Sequence, residues 1–487
     1  MWIKCLFLSI LFINALDAEK SVIIVGAGLS GFSAAAKLME KGGYDITILE
    51  AEGQIGGRIK SISYQDGSID MGAQWIHGEV DNIIYQTAKN FGFGKTNFDT
   101  IDQTFVRSDG AALDQNLLNK LSKMIYEIVE HSDSEMRSYN GPFGNFVWEK
   151  FLKELNEDEI LVNTDPKLIE LFKNHIEREL IGHHASNSWN DVSAVLNSNF
   201  ADASGFQHWN WKKAGFFTYF NYITKNGGLN IKSKTQLNKK VTNIKYDLSS
   251  PTEKVIVRTA DGKNYSAEHV IFTGSLGVLK KFHSILFIPN LPQDKITAIE
   301  KNAFGAIAKV FLHFEQPFWP NEDFISYSFL WNDAQRDEAK ANGREWLFGV
   351  AAFFIVDQYP NLLEGFIGGE KVKDFENTND EKLIDDIMWF FEKFLGKTIP
   401  KPTIAGRTKW LTNENFLGTY TYLSMEAEKA KVGPDDLEKS LYNSDDKPVI
   451  LFAGEATDFN YPSFAHGAIT SGNRAADVLI KYYDSLN

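Results

Sequence analysis

Ser21-Val22-Ile23-Ile24-Val25-Gly26-Ala27-Gly28-Leu29-Ser30-Gly31 is the stretch whose reading decides the fold. Residues 21–25 form a continuous run rich in β-branched side chains, the mark of a strand covered on both faces. The run leads directly into G-x-G-x-x-G. A helical stretch from Ala34 to Lys41 follows, ended by Gly42-Gly43, and a second strand from Asp45 to Leu49 stops at Glu50. This β-α-β unit has the form of a dinucleotide site. Gly26 permits the tight turn, Gly28 lets a pyrophosphate approach the backbone, and Gly31 lets helix and strand pack closely. The helix N-terminus favours the phosphate charge. Glu50, 22 residues beyond Gly28, has the type and spacing of the acid that accepts ribose hydroxyls.

The rest of the chain is compatible with a large enzyme. Its 487 residues suffice for more than one domain, and 43% hydrophobic with 23% charged residues excludes disorder, collagen and coiled coil as global descriptions. A net charge of −14, from 64 acids against 50 bases, argues against nucleic acid as a main partner. The single cysteine, Cys5, excludes a disulfide scaffold and a zinc site of several thiolates, and no metal site is expected. Lys4, the apolar run Cys5–Ile13 and the small residues Ala15 and Ala18 predict a secretory signal peptide over 1–18, and with it a secreted or lumenal protein. No later run is long and apolar enough for a membrane span, and the sequence ends without a hydrophobic tail. Asn264-Tyr265-Ser266 is a glycosylation sequon.

Along the chain, the pattern from about Asp81 to Leu229 is helical and charged, with aromatics clustered from Trp209 to Tyr222. Strands are expected at Lys240–Tyr246, Val255–Thr259, His269–Phe272 and Pro448–Phe452, and an alternating one at Ala306–Phe314. Helices are expected at Asp380–Leu395 and His466–Tyr483. Nucleotide-site features lie at both ends of the chain, so the domain that carries them is discontinuous. The expected division is 19–95, 230–300 and 405–487 for nucleotide binding, with 96–229 and 301–404 for substrate.

Two further segments narrow the dinucleotide. Gly56-Gly57-Arg58, six residues past Glu50, places pliable backbone and a fixed cation near a second phosphate. Near the other end, a buried strand runs into Ala453-Gly454-Glu455-Ala456-Thr457, and His466-Gly467-Ala468-Ile469-Thr470-Ser471-Gly472 opens a helix. Together these motifs resemble the flavin amine oxidases, and over nearly the whole mature chain their polyamine oxidase branch. The resemblance implies an α/β fold, with a Rossmann-like FAD-binding domain and a discontinuous α+β substrate-binding domain. It puts cofactor contacts at Gly26, Gly28, Leu29, Gly31, Glu50, Gly57 and Arg58. It adds Gly72, Ala73, Gln74 and Trp75 on the flavin's substrate face, then Val241 and Trp410, and finally Gly454, Glu455, Phe464 and Ala465. The family's monoamine oxidases attach FAD through a cysteine before the first aromatic of the substrate site; here Leu417-Gly418-Thr419 stands there and the mature chain has no cysteine, so FAD is expected to be noncovalent.

The same resemblance assigns the chemistry. Lys309, on the apolar face of its strand with Ile307 and Phe311, needs a partner if buried. In the family the matching lysine hydrogen-bonds a water beside flavin N5 and assists reoxidation. Tyr420 and Phe464 match the two aromatics that flank the substrate nitrogen, and His77 matches a histidine typical of the animal polyamine oxidases, able to hydrogen-bond a substrate amine or to tune its protonation. Gln74, Trp75 and Ile76 supply no arginine for a carboxylate, against an amino-acid substrate. Asp202, after Phe200, is a poorly matched candidate for a distal ammonium, and a solvated carboxylate fits it better. The implied reaction takes a small cationic amine, foremost a polyamine, and molecular oxygen to aldehyde, amine and hydrogen peroxide. An oxidase of lysine or methyl-lysine side chains and a non-catalytic FAD-binding protein remain alternatives, and the aromatic segment Trp209–Phe216 is expected to reshape the substrate tunnel.

Overall fold

The structure is a computed structural model and describes residues 19–96, 103–198, 203–226, 229–319 and 326–486. The expected signal segment, Phe200 and Asp202 lie outside them. The opening unit forms as strand Lys20–Val25, helix Leu29–Lys41 and strand Tyr44–Leu49. The helix starts at Leu29 rather than Ala34. Gly31 belongs inside it, because a Cβ there would stand 2.1 Å from the Gly26 carbonyl oxygen.

These strands sit in a six-stranded sheet in the order Leu441–Tyr442, Pro448–Phe452, His269–Phe272, Lys20–Val25, Tyr44–Leu49, Thr235–Gln236. All neighbours are parallel except the first pair. Val22 and Ile24 enter one hydrophobic core and Ile23 and Val25 the other, so both faces are covered. That is why the segment shows no polar alternation. Helix Ala465–Ser485 packs on Leu29–Lys41. Gly472 allows the approach, since a Cβ there would lie 2.2 Å from the Ser30 carbonyl oxygen. The two ends of the chain thereby build one layer.

A second six-stranded sheet runs Thr403–Arg407, Ile307–His313, Tyr359–Gly368, Val350–Val356, Ser326–Leu330, Thr104–Arg107. Ile307–His313 is bordered by antiparallel neighbours on both sides. The alternation expected for this strand does not occur: residues 307–312 are all buried. Ala308, Val310 and Leu312 pack into the core that holds Phe390 and Phe394 of helix Asp380–Leu395, while Phe311 joins Ile69 and Met71 on the other face. The helical reading of 81–229 holds for Gln115–His131, Phe143–Glu157 and Pro166–His184, with short strands as exceptions. Trp209–Asn210 is a short strand between Trp75–Ile76 and Gly94–Lys95. Most of its aromatic followers serve packing: Trp211, Phe216 and Phe220 are fully buried in the core beneath helix Leu29–Lys41. Among the described residues, no helix is long and apolar enough to cross a membrane and no group of His, Cys, Asp or Glu could hold a metal ion.

Candidate active site

The glycine loop is braced from three sides. Glu50, 6% exposed, accepts the Ala27 N–H through one carboxylate oxygen and the Glu52 N–H through the other, both at 2.7 Å. Burial pushes its carboxyl up, against the pull of those N–H groups. A carboxylate has about four acceptor positions, so two remain for hydroxyls. The Gly56 N–H donates to Ala27 O at 3.0 Å, and a Cβ on Gly57 would lie 3.3 Å from Gly28 Cα. The second glycine pair therefore rests on the first. Gly28 caps the helix with no side-chain bond, and a Cβ there would meet nothing within 4 Å. The loop is thus closely packed at Gly31 and open at Gly28, with the orphan N–H groups of the helix start beside the opening. Leu29 turns inward and is buried. Val241 follows the 238–239 segment, whose N–H groups bond Glu52 O and Glu50 O.

Arg58 and Glu455 meet at 2.8 Å beside a cleft lined by Gly274, Ser275, Leu437 and Gly454. Arg58 also donates to the Thr419 carbonyl and lies over the Phe304 ring. The other Glu455 oxygen accepts the N–H groups of Thr421 and Ser463, at 3.3 and 3.2 Å. Gly454 takes a φ of +128° and donates its N–H to the Ser471 hydroxyl. The Trp410 indole donates to Met71 O at 3.2 Å and crowds Gly72, where a Cβ would collide with Arg58 O at 1.7 Å. Ala73 donates to the same Arg58 carbonyl.

Lys309, 7% exposed, points its ammonium into this segment. Its acceptors are Gly72 O at 2.9 Å, Asp70 O at 3.3 Å and the Gln74 side-chain oxygen. Glu364, 1% exposed, is 3.0 Å from it and also accepts from Gln74 Nε2 at 3.0 Å. Three acceptors match the three protons of the ammonium, and the Glu364 carboxylate adds the opposite charge beside it. Burial pushes the Glu364 carboxyl up while Lys309 opposes the rise; burial likewise pushes Asp70 up to about 6. A cavity beside the pair is lined by Asp70, Trp75, Asn210 and Asp357. The demand of a buried lysine for a partner was legible in the sequence, but Glu364 was not. Its run, Asn361-Leu362-Leu363-Glu364-Gly365-Phe366-Ile367, carries no motif, and only the antiparallel register beside Ile307–His313 brings it to Lys309.

Trp75 sits among Phe354, Phe366 and His208. Two residues on, the His77 ring packs at 5.1 Å from Phe464 and 5.7 Å from His208. Phe464 caps helix Ala465–Ser485 and stacks on His466 at 5.0 Å, 17° from parallel. Asn82 ties the group, donating to His77 O at 2.7 Å and lying 3.2 Å from His466 Nδ1. Burial, with His208, His466 and His183 adding repulsion, depresses His77 to about 3; burial depresses His466 to about 4. Both imidazoles are neutral at physiological pH. Tyr420, raised by burial, donates its hydroxyl toward Gly182 O and His183 O. The structure therefore brings His77, Phe464 and His466 together in one cluster, with Ala465 at the helix start between the last two, Lys309, Gln74 and Gly72 in a second, and Arg58, Glu455 and the flanks of Tyr420 in a third. Trp75 bridges the first two.

Residues 29–480 match the model of the family described as flavin containing amine oxidoreductase. The chain belongs to the flavin-containing amine oxidoreductases. It is 28% identical to polyamine oxidase 1 of Zea mays, over 94% of this chain and 90% of that protein. It is 27% identical to the human peroxisomal N(1)-acetyl-spermine/spermidine oxidase, over 95% of each. Among solved structures, a redesigned putrescine oxidase superposes with a TM-score of 0.67 at 16% identity, covering 95% of this chain and 99% of that one. The protein is an FAD-dependent amine oxidase with a family fold of cofactor and substrate domains. Its residues fit FAD: the open cradle at Gly28 and the adjacent helix N-terminus suit a pyrophosphate, and Glu50 keeps free acceptor positions.

Proposed function

We propose that the protein oxidises polyamines such as spermine, spermidine or their acetylated forms, consuming oxygen and water and yielding an aldehyde, a shorter amine and hydrogen peroxide. FAD, when bound, supplies the two-electron acceptor. The residues of the chain position and discriminate. Tyr420 and Phe464 flank the reacting nitrogen, and aromatic faces attract a cationic or polarised amine. His77, held neutral by burial, hydrogen-bonds that amine without repelling it. Lys309 keeps its ammonium on the Gly72–Gln74 segment, and exchanging one of its acceptors for a water lets it assist reoxidation.

The observation that carries this reading is the packing of His77 and Phe464 beside Trp75, one side of which faces Lys309. The absence of a cation at Gln74, Trp75 and Ile76 speaks against carboxylate substrates. The names of the plant and human relatives favour polyamines among amines. The composition of residues 1–18 favours delivery to the secretory pathway. A panel of spermine, spermidine, acetylated polyamines, putrescine and free lysine, scored by peroxide release from purified holoenzyme, tests the reading. Polyamines turning over at least tenfold faster than lysine is the expected result, and a preference for lysine overturns it.

A further inference from the structure

Thr421 follows Tyr420 and Ser463 precedes Phe464, so contacts between these two residues link the segments that carry the two aromatic rings. One Glu455 oxygen receives both their N–H groups, at 3.3 and 3.2 Å. The Ser463 hydroxyl donates to the Thr421 carbonyl at 2.6 Å, joining segments 42 residues apart. Ser463 does so at a φ of +74°, a backbone region that costs an L residue about 1–2 kcal/mol and suits glycine. Such strain persists where the surroundings over-determine it, and it clusters at binding sites. A glycine would sit there without strain, but it has no hydroxyl to make the bridge.

The outer ends of the rings are held as well. Tyr420 reaches Gly182 O and His183 O through its hydroxyl, and Phe464 is stacked on His466. The second Glu455 oxygen is bound to Arg58, which also holds Thr419. Both aromatics are therefore anchored, and the Ser463 hydroxyl joins the two sides directly. We infer that Ser463 is a positioning residue that determines specificity: its bridge to Thr421 clamps Tyr420 and Phe464 at one spacing and so sets the width of the gap that admits the amine. This rests on the proposed role of Tyr420 and Phe464 as the walls of that gap.

A clamp of this kind acts on bound substrate and transition state alike, so its loss raises KM and spares kcat. The experiment compares wild-type holoenzyme with Ser463→Ala and Ser463→Gly. Both variants lose the hydroxyl, and KM for spermine is expected to rise about fivefold in each, the effect of one neutral hydrogen bond, with kcat within about twofold. Preference for spermine over an N-benzyl polyamine falls in both. Stability follows a different order, because Ser463→Gly relieves the strained φ and Ser463→Ala keeps it; the alanine variant melts lower. Deuterium exchange of holoenzyme should quicken at 419–422 and 460–464 together in each variant.

An unchanged KM in both variants, or a KM that changes only where the melting temperature does, overturns the inference and leaves Ser463 as mere packing. If wild-type enzyme oxidises no polyamine, the functional reading falls instead. Exchange then decides the clamp alone, and a rate unaltered at either segment overturns it. If Ser463→Ala fails to fold, Ser463→Gly carries the same comparison.

Discussion

Replacing Glu364 by Gln removes the charge that faces Lys309 and keeps the side-chain shape. The ion pair is 3.0 Å long and both partners are nearly inaccessible to solvent. At an effective dielectric of about 20 their attraction is about 5.5 kcal/mol, and breaking one side of a buried pair costs about 3–5 kcal/mol because the other charge is left behind. Glu364→Gln falls at the lower end, since Lys309 retains Gly72 O, Asp70 O and Gln74. Lys309→Met falls at the upper end at pH 8, since Glu364 keeps only Gln74 and faces Asp70 and Asp357 across the cavity. The double variant strands no charge and costs about 2–3 kcal/mol less than the two singles added together. Urea unfolding of all four proteins at one flavin concentration measures this. As pH falls the Lys309→Met cost shrinks, because burial already raises the Glu364 carboxyl and a protonated Glu364 needs no cation. Costs that add within about 0.5 kcal/mol at pH 8 would falsify the pairing.

Gly28→Val and Gly31→Ala should separate cofactor binding from folding. The first projects into the open cradle and abolishes the visible flavin spectrum of a folded protein, while the second drives a methyl against Gly26 O and yields little soluble protein. Gly472→Ala, pressing on Ser30 O, lowers the melting temperature by several degrees through the junction of the two terminal helices. His175 is fully buried and its folded pKa is depressed to about 3 by burial and by Arg178, below the ordinary 6.5. It stays neutral in the folded chain while the unfolded chain takes up a proton. Its contribution is therefore complete above pH 6.5 and declines by about 1.4 kcal/mol per unit down to about pH 3. Unfolding of His175→Leu and wild type across that range should converge or cross by this slope, and parallel pH profiles would contradict it.

The fold was legible where one physical requirement left a local mark. Residues 21–31 must be apolar on both faces, turn tightly and clear a phosphate, and each demand appears at a fixed spacing. Lys309 was legible because a lysine amid Ile307 and Phe311 is costly without a reason. Strands Ser326–Leu330, Val350–Val356 and Tyr359–Gly368 were not anticipated, since doubly covered strands lose the alternation that marks a strand. Glu364 and Ser463 were missed for a different reason. Each acts through a partner 55 or 42 residues away, brought close only by sheet register or by the Glu455 junction. The cluster at Trp209–Phe216 could not be divided between core and site, because an aromatic in a core and one in a site look the same in sequence: Trp211 and Phe216 are buried in the core, while Asn210, Trp211 and Lys212 also line the cavity beside Glu364.

A polyamine oxidase must pass electrons from its amine to the bound flavin. Purified holoenzyme, made anaerobic and mixed with spermine, should lose its visible flavin absorption within the time of a turnover and recover it when oxygen is admitted. A flavin band that stays unbleached with spermine, spermidine and their acetylated forms would contradict the assignment.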